Sequence, residues 1–136
     1  MTPHHAEFAH LIGIDLKELE KDILKYGRIF TERTGAYLVL KGAPTIIFTP
    51  GGDALINTTG NPGMAKFGTG DVLTGVIASF MAQKQDIEEA VVAAVYVHSL
   101  SADLMLKKST EFGYTASDIS KNISAAIKFL RKTFAQ

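Results

Sequence analysis

The sequence predicts a layered α/β fold in a single domain. A helical pattern of apolar residues begins near Asp15, a short and continuously apolar run occupies residues 36–40, and three longer helical patterns follow residue 70. A short apolar run is typical of a strand covered on both faces, and helices with apolar faces need a surface to cover. Because 136 residues with 46% apolar composition supply one modest core, we expect one domain.

The first half of the chain reads as helix, strand and hairpin. Asp15 followed by Glu18 resembles an N-cap with an acid three residues on, and apolar residues then recur at helical spacing to Phe30, which predicts one amphipathic helix. Lys41-Gly42 ends the buried strand at 36–40. Residues 45–49 and 54–57 are β-rich and flank Pro50-Gly51-Gly52-Asp53, the pattern of a β-hairpin.

Three helices are predicted in the second half. The first, at about 71–82, is apolar on nearly every face and is expected to be central, with Gly75 and Ala78 allowing close approach. The second covers about 86–107, and the third begins near Ser117-Asp118 and carries apolar residues as far as Phe134. His98 lies on the apolar stripe of the second, where a hydrogen-bonded core residue is expected.

One buried strand is too little sheet to cover three apolar helices. We therefore expect further strands to come from residues outside this sequence or from a partner chain. An uncovered sheet edge and apolar helix faces also favour a homo-oligomer.

Composition excludes several classes of function. Fourteen basic and fourteen acidic residues cancel, so charge does not recruit nucleic acid or an anionic membrane surface as a general partner. The apolar stretches are shorter than a bilayer requires. Without cysteine, disulfides, thiolate metal sites and cysteine nucleophiles are excluded, and a cytoplasmic location is expected.

The most informative segment is the glycine-rich loop at residues 57–75, which leads directly into an apolar helix. Small residues let backbone N–H groups approach an anion, and the start of a helix favours negative charge. The loop matches neither the Walker pattern nor the dinucleotide fingerprint. Lys66 adds a basic side chain beside the expected anion. The carboxylate of Asp71 would repel a phosphate bound beside it. Proton transfer is the most direct explanation for an acid at this position.

Five segments of the chain together resemble one family. They are Thr2-Pro3-His4-His5-Ala6-Glu7-Phe8 and residues 38–42, 57–65, 68–75 and 113–118. In this order they resemble the ADP/ATP-dependent NAD(P)H-hydrate dehydratase family, a branch of the ribokinase-like superfamily. The resemblance implies a three-layer α/β/α sandwich. Residues 1–136 would be the C-terminal part of a single ribokinase-like dehydratase domain, an incomplete half with a β-hairpin and three C-terminal helices.

The resemblance also implies the chemistry. Asp71 would be the catalytic base that deprotonates the ring hydroxyl of hydrated NAD(P)H, which then takes a phosphoryl group from ADP or ATP before phosphate is eliminated. The backbone of Gly68, Thr69 and Gly70 would hold the transferred group, a positioning and electrostatic task.

Further residues follow from the same likeness. Lys41 and Asn61 would bind the nucleotide phosphates, His4 and Asp71 would face the substrate, and Glu7 would organise Mg²⁺ through water. A functional link to NAD(P)H-hydrate epimerase is implied as well.

Each of these residues also has a simpler interpretation. An aspartate in the first turn of a helix ordinarily serves the helix dipole. His4, His5 and Glu7 are consistent with an exposed helix start, and Lys41 with a surface lysine. The Gly68–Asp71 pattern suits a ribokinase-like kinase of a small alcohol equally well, and a chain that binds nucleotide without catalysis is the third possibility.

Overall fold

The computed structural model describes residues 1–83 and 86–134. In chain order the elements are α1 (His5–Ile12), α2 (Leu16–Lys21), α3 (Ile23–Thr34), β1 (Leu38–Leu40), β2 (Thr45–Phe48), β3 (Ala54–Asn57), a short 3-10 helix (Pro62–Met64), α4 (Thr69–Gln83), α5 (Ile87–Met105) and α6 (Ala116–Phe134). They form two compact units, which we call the N-terminal unit (Met1–Thr58) and the C-terminal unit (Thr59–Gln136).

The sheet of the N-terminal unit has the strand order β1-β2-β3, and both pairs are antiparallel. Phe48 pairs with Ala54 across a turn in which Gly52 has a φ of 91°, so the predicted hairpin is confirmed. On its other side β1 is bonded by the start of the chain, since the amides of Val39 and Lys41 donate to the carbonyls of Met1 and Pro3 at 2.8 Å.

The three residues of β1 are fully buried, as their uninterrupted apolar run predicts. The pairing of β1 with β2 is antiparallel, whereas the isolated bridge between His4 and Lys41 is parallel. The core beneath the sheet joins β1 and β2 to the helices through Phe8, Leu19 and Phe48. Phe8 also meets Phe30 edge to face, with 5.3 Å between the ring centres.

The prediction of one helix from Asp15 to Phe30 is wrong. Asp15 caps α2 as expected, but the backbone at Asp22 leaves the helical region (φ −156°, ψ 70°) and its carboxylate caps α3. Two short helices therefore replace one long helix, because an aspartate side chain offers the backbone a hydrogen bond that competes with helix continuation.

The three helices of the C-terminal unit pack against one another. The most buried is α5, where ten residues from Ala90 to Ala102 are buried. The expectation that α4 is central is wrong, because only Thr69, Leu73 and Ile77 of that helix are buried. A Cβ on Gly75 would meet nothing within 4 Å, so this glycine provides no close approach. Phe134, predicted to end the stripe of α6, has a side chain outside the described part of the chain.

Within residues 1–83 and 86–134, no helix combines the length and the apolar character that a bilayer crossing requires.

Two glycines in helices give a matched stability prediction. Gly27 of α3 lies against the buried ring of Phe48, and a Cβ there would come within 2.3 Å of a ring atom. We expect Gly27→Ala to destabilise the protein by about 1–3 kcal/mol through overpacking, despite the better helix propensity of alanine. The exposed Gly75→Ala should instead stabilise it by roughly 0.5–1 kcal/mol.

Urea unfolding of both variants tests this difference in sign. If Gly27→Ala raised the unfolding midpoint as Gly75→Ala does, the tight contact with Phe48 would be contradicted.

Candidate functional site

The start of α4 is shaped by the loop before it. Gly68 has a φ of 85°, a conformation that residues other than glycine rarely adopt, and α4 begins at the next residue. The first N–H groups of a helix have no partner within it. Among the described residues, the Thr69 amide donates to the carbonyl of Lys66 at 3.3 Å, while the amides of Gly68, Gly70 and Asp71 have no protein acceptor. These amides are available to an anion.

Thr69 carries a hydroxyl donor that has no partner in the described structure. Its side chain is only 7% exposed. A buried hydroxyl without a partner is uncommon and invites a ligand or an ordered water. Of the predicted phosphate-binding residues, Gly68 and Gly70 therefore supply backbone amides without a protein acceptor, and Thr69 between them adds a buried hydroxyl without a partner.

Asp71 lies in the first turn of α4, two residues after Thr69. It is exposed, and its carboxylate makes no hydrogen bond or ion pair within the described ranges. An exposed, unengaged carboxylate can accept a proton from a bound hydroxyl group. The same position in the helix suits a dipole interaction, the simpler interpretation.

The side chain of Asn61 forms hydrogen bonds that hold the glycine-rich loop in place. Its side-chain oxygen accepts hydrogen bonds from the amide of Gly63, at 3.1 Å, and from the hydroxyl of Tyr114. Its side-chain nitrogen donates to Asp103 at 2.9 Å. Direct binding of nucleotide by Asn61 therefore remains a prediction, since most of its hydrogen-bonding capacity is engaged by the protein.

The expectation that Lys66 serves an anion is not supported by its contacts. Its ammonium group donates to the carbonyl of Glu111 at 2.7 Å and to that of Tyr114, and it lies 4.2 Å from the centre of the Tyr114 ring. Lys66 therefore anchors the loop to the connection between α5 and α6.

In the N-terminal unit, His4, Glu7 and Lys41 lie together at the start of α1. His4 and Glu7 form a capping box: the Glu7 amide donates to Nδ1 of His4 at 3.1 Å, and the His4 amide donates to Glu7 at 2.7 Å. Lys41 approaches the same carboxylate at 3.6 Å, because β1 is bridged to the segment before α1. The interpretation as a helix start is thus confirmed for this cluster.

The hydrogen bond from the His4 amide, assisted by the charge of Lys41, holds the pKa of Glu7 below its ordinary 4.5. Glu7 is therefore ionised at neutral pH. Across residues 1–83 and 86–134, no three His, Cys, Asp or Glu side chains come together as metal ligands. His5 packs over Gly42 of the following turn, where a Cβ would lie 2.9 Å from its Nε2 atom.

A family model described as NAD(P)H-hydrate dehydratase matches residues 1–125. The chain belongs to the NAD(P)H-hydrate dehydratase family. It is 37% identical over 120 residues to the ADP-dependent (S)-NAD(P)H-hydrate dehydratase of Bacillus subtilis, which covers 88% of this chain and 44% of that protein. It is 41% identical over 119 residues to the bifunctional NAD(P)H-hydrate repair enzyme Nnr of Vibrio cholerae, covering 88% of this chain and 24% of the relative.

Solved structures agree with this membership. The ADP/ATP-dependent NAD(P)H-hydrate dehydratase of Bacillus subtilis, co-crystallised with ATP and Mg²⁺, matches with a TM-score of 0.89 and 35% identity over 94% of this chain and 46% of that chain. A ribokinase-like superfamily protein of Enterococcus faecalis matches with a TM-score of 0.80 and 37% identity over 94% of this chain. The predicted ribokinase-like α/β fold is confirmed, and the dehydratase-family chain spans less than half the length of these relatives.

Sequence reasoning missed Asp103 and Tyr114. Tyr114 lies inside the segment 113–118 that contributes to the resemblance, and that position was its only signal. Asp103 had none, because a single acid near the end of a long helix is usually solvated.

His98 was predicted as a hydrogen-bonded core residue, and its burial is confirmed at 3% exposure. Its Nε2 atom has no hydrogen-bond partner in the described part of the chain, so the hydrogen bonding is incomplete. Burial lowers the pKa of His98 from 6.5 to about 4, and a hydrogen bond with the Thr69 backbone acts in the opposite direction. His98 therefore lies behind the first residue of α4 as a neutral imidazole.

This pKa predicts a loss of stability in mild acid. The unfolded chain takes up a proton at His98 near pH 6.5, whereas the folded chain resists it until about pH 4. The free energy of unfolding should therefore be fully retained above pH 6.5 and should fall by about 3 kcal/mol as pH decreases toward 4.

Urea unfolding between pH 7 and pH 4.5 measures this slope. His98→Gln should flatten it relative to the wild type, and His10→Gln, which changes an exposed histidine, should not. Equal slopes for wild type and His98→Gln would contradict the assignment.

Proposed function

We propose that this member of the dehydratase family takes part in the ADP- or ATP-dependent dehydration of NAD(P)H hydrate to NAD(P)H. The observation that carries the proposal is the combination at the start of α4: donors without protein acceptors at residues 68–70, followed by the unengaged carboxylate of Asp71. Phosphoryl transfer needs positioning and electrostatic stabilisation more than covalent chemistry, and this combination supplies both. Family membership supports the choice of reaction.

In the proposed reaction, the Asp71 carboxylate accepts the proton of the substrate's ring hydroxyl. The hydroxyl oxygen forms a bond to the terminal phosphorus of ADP or ATP, and the bond from that phosphorus to the bridging oxygen breaks. The amides of Gly68 and Gly70 donate to the phosphoryl oxygens. Phosphate then leaves with the carbon–oxygen electron pair, and loss of a proton from the neighbouring ring carbon restores the double bond.

By the resemblance, Lys41 would contact the nucleotide phosphates and His4 would contact the substrate. Both side chains meet Glu7, whose ionised carboxylate lies between them. These two contacts support a role in which Glu7 orients the side chains of His4 and Lys41.

The family also implies Mg²⁺. This ion keeps several water ligands and takes one or two protein carboxylates beside phosphate oxygens. Glu7 is a half-exposed carboxylate that, in the described residues, belongs to no group of three His, Cys, Asp or Glu side chains, which fits an ion held largely through water. Bound there, Mg²⁺ would neutralise charge on the nucleotide phosphates.

The wider setting follows from the same proposal. The relative from Vibrio cholerae is a bifunctional repair enzyme, which supports a functional link to NAD(P)H-hydrate epimerase. Leu55 and Ile56 are exposed on β3 and support a homo-oligomer, and the absence of cysteine supports a cytoplasmic setting.

Substitution of Asp71 tests the chemistry. We expect Asp71→Asn to fold and bind ADP as the wild type does, while turnover falls by about 10²–10⁴-fold through loss of the base. Recovery of nicotinamide absorbance from hydrated NADPH, with ADP or ATP and Mg²⁺, measures turnover. Asp86→Asn is the matched control, because Asp86 caps the start of α5 and leaves residues 68–71 untouched.

The outcomes separate the candidate functions. Unchanged turnover in Asp71→Asn removes Asp71 from the mechanism. A stable phosphorylated alcohol, with no recovery of NADPH, assigns a kinase instead. If ADP raises the melting temperature of the wild type without any turnover, the chain binds nucleotide without catalysis. No thermal shift at millimolar ADP or ATP contradicts nucleotide binding altogether.

A further inference from the structure

A polar network holds the glycine-rich loop to α5 and to the start of α6. Asp103 accepts two hydrogen bonds from the loop: one from the Gly60 amide, at 2.8 Å, and one from the Asn61 side chain, at 2.9 Å. Asn61 in turn accepts from the Gly63 amide and from the hydroxyl of Tyr114. We call these four hydrogen bonds the Asn61 network; three of them join residues more than 40 positions apart in the sequence.

The network is tightly enclosed. Tyr114 is only 3% exposed, and burial raises the pKa of its phenol, so the hydroxyl stays protonated and donates to Asn61. A Cβ on Gly63 would lie 2.4 Å from that hydroxyl and 2.6 Å from the carbonyl of Glu111, so the loop backbone rests directly on this surface. Met64 packs against the apolar cluster that contains Tyr114.

The network continues to the start of α4 through Lys66. The Lys66 ammonium group binds the carbonyls of Glu111 and Tyr114, which fixes the loop two residues before Gly68. The Lys66 carbonyl accepts from the Thr69 amide, and the Gly68 carbonyl accepts from Val72. The position of residues 68–70 is therefore set by the segment that the Asn61 network holds.

From these contacts we infer that Asp103 and Tyr114 are positioning residues, which act through Asn61 to hold the amides of Gly68 and Gly70 ready for a phosphoryl group. Donors that are already oriented need no reorganisation when charge arrives, which is where electrostatic stabilisation gains most of its effect. The identity of the ligand rests on the proposed function; the ordering of the loop does not.

A reciprocal exchange of the Asn61 and Asp103 side chains tests the inference. Asp103→Asn keeps the shape but leaves one oxygen for two donors, and Asn61→Asp sets two carboxylates against each other. In the double variant Asn61→Asp/Asp103→Asn, the new amide donates to the new carboxylate, and every other hydrogen bond of the network has an acceptor again. Both single changes should therefore disturb the loop, and their combination should repair it.

Nuclear magnetic resonance of the full chain without ligand gives the deciding measurement. We expect the backbone order parameters of Gly68 and Gly70 to fall from about 0.85 toward 0.6 or less in Asp103→Asn, and to recover in the double variant. Tyr114→Phe, which removes only the hydroxyl, should produce a smaller decrease.

Ser101→Ala is the matched control. It removes a buried hydrogen bond of 2.8 Å from Ser101 to the Ile119 carbonyl, between α5 and α6, and leaves the Asn61 network intact. This variant should lose thermal stability while its Gly68 and Gly70 order parameters stay at the wild-type values. A purely structural role for Asp103 would make Asp103→Asn behave in the same way, and that result would overturn the inference.

Affinity for ADP, measured by calorimetry well below the melting temperature of each variant, is the second readout. It should weaken roughly tenfold in Asp103→Asn and return toward the wild-type value in the double variant. If the wild type does not bind ADP, the proposed function fails, while the order parameters still decide whether the loop is positioned. Restored loop order without restored ADP affinity contradicts positioning as the sole role of Asn61 and points to direct contact with the nucleotide.

Discussion

The glycine-rich segment before α4 has little regular structure, so its shape depends on side-chain hydrogen bonds that reach it from elsewhere in the chain. Asn61 is the centre of that constraint, since it is bonded to Asp103 on α5 and to Tyr114 before α6. Glycines give the loop access to conformations that other residues avoid, but the same freedom must be removed if backbone amides are to face a ligand. Asn61 and Lys66 supply the restraint that the glycines lack.

The two acidic residues of interest differ in their engagement. Glu7 is fixed by the amide of His4 and by Lys41, which keeps it ionised and oriented. Asp71 has no such contacts among the described residues. A carboxylate that organises cations benefits from a fixed, charged state, whereas one that accepts a proton must be able to turn toward its substrate. The different surroundings are thus consistent with different tasks.

Local patterns predicted much of the fold. The cap at Asp15, the buried run of β1, the hairpin of β2 and β3, and the three C-terminal helices all follow from short-range sequence signals, and all appear in the structure. The break at Asp22 was missed because its own side chain competes with the helix, an effect that apolar periodicity does not register. The burial of α4 was overestimated. The apolar composition of a helix shows how much surface it could bury, and only the structure shows how much of it is buried.

The candidate site was predictable to the extent that it is contiguous. Residues 68–71 form one run in the sequence, so the chemistry proposed for them could be read there, whereas the roles proposed for His4, Glu7 and Lys41 came only from the resemblance. Asp103 and Tyr114 were not visible, because their importance depends on long-range contacts with Asn61 that a sequence pattern cannot reveal. The lysine at position 66 was misleading for the same reason: its charge suggests an anion, but its partners are carbonyl groups.

The exposed position of Gly75 offers a practical advantage. It lies on α4, six residues after Thr69, with open space around it, and the chain contains no cysteine. A Gly75→Cys substitution would therefore introduce a unique thiol on the helix whose first turn carries the amide donors. A fluorophore or spin label attached there would report events at that helix start without competing attachment sites and without occupying the loop itself.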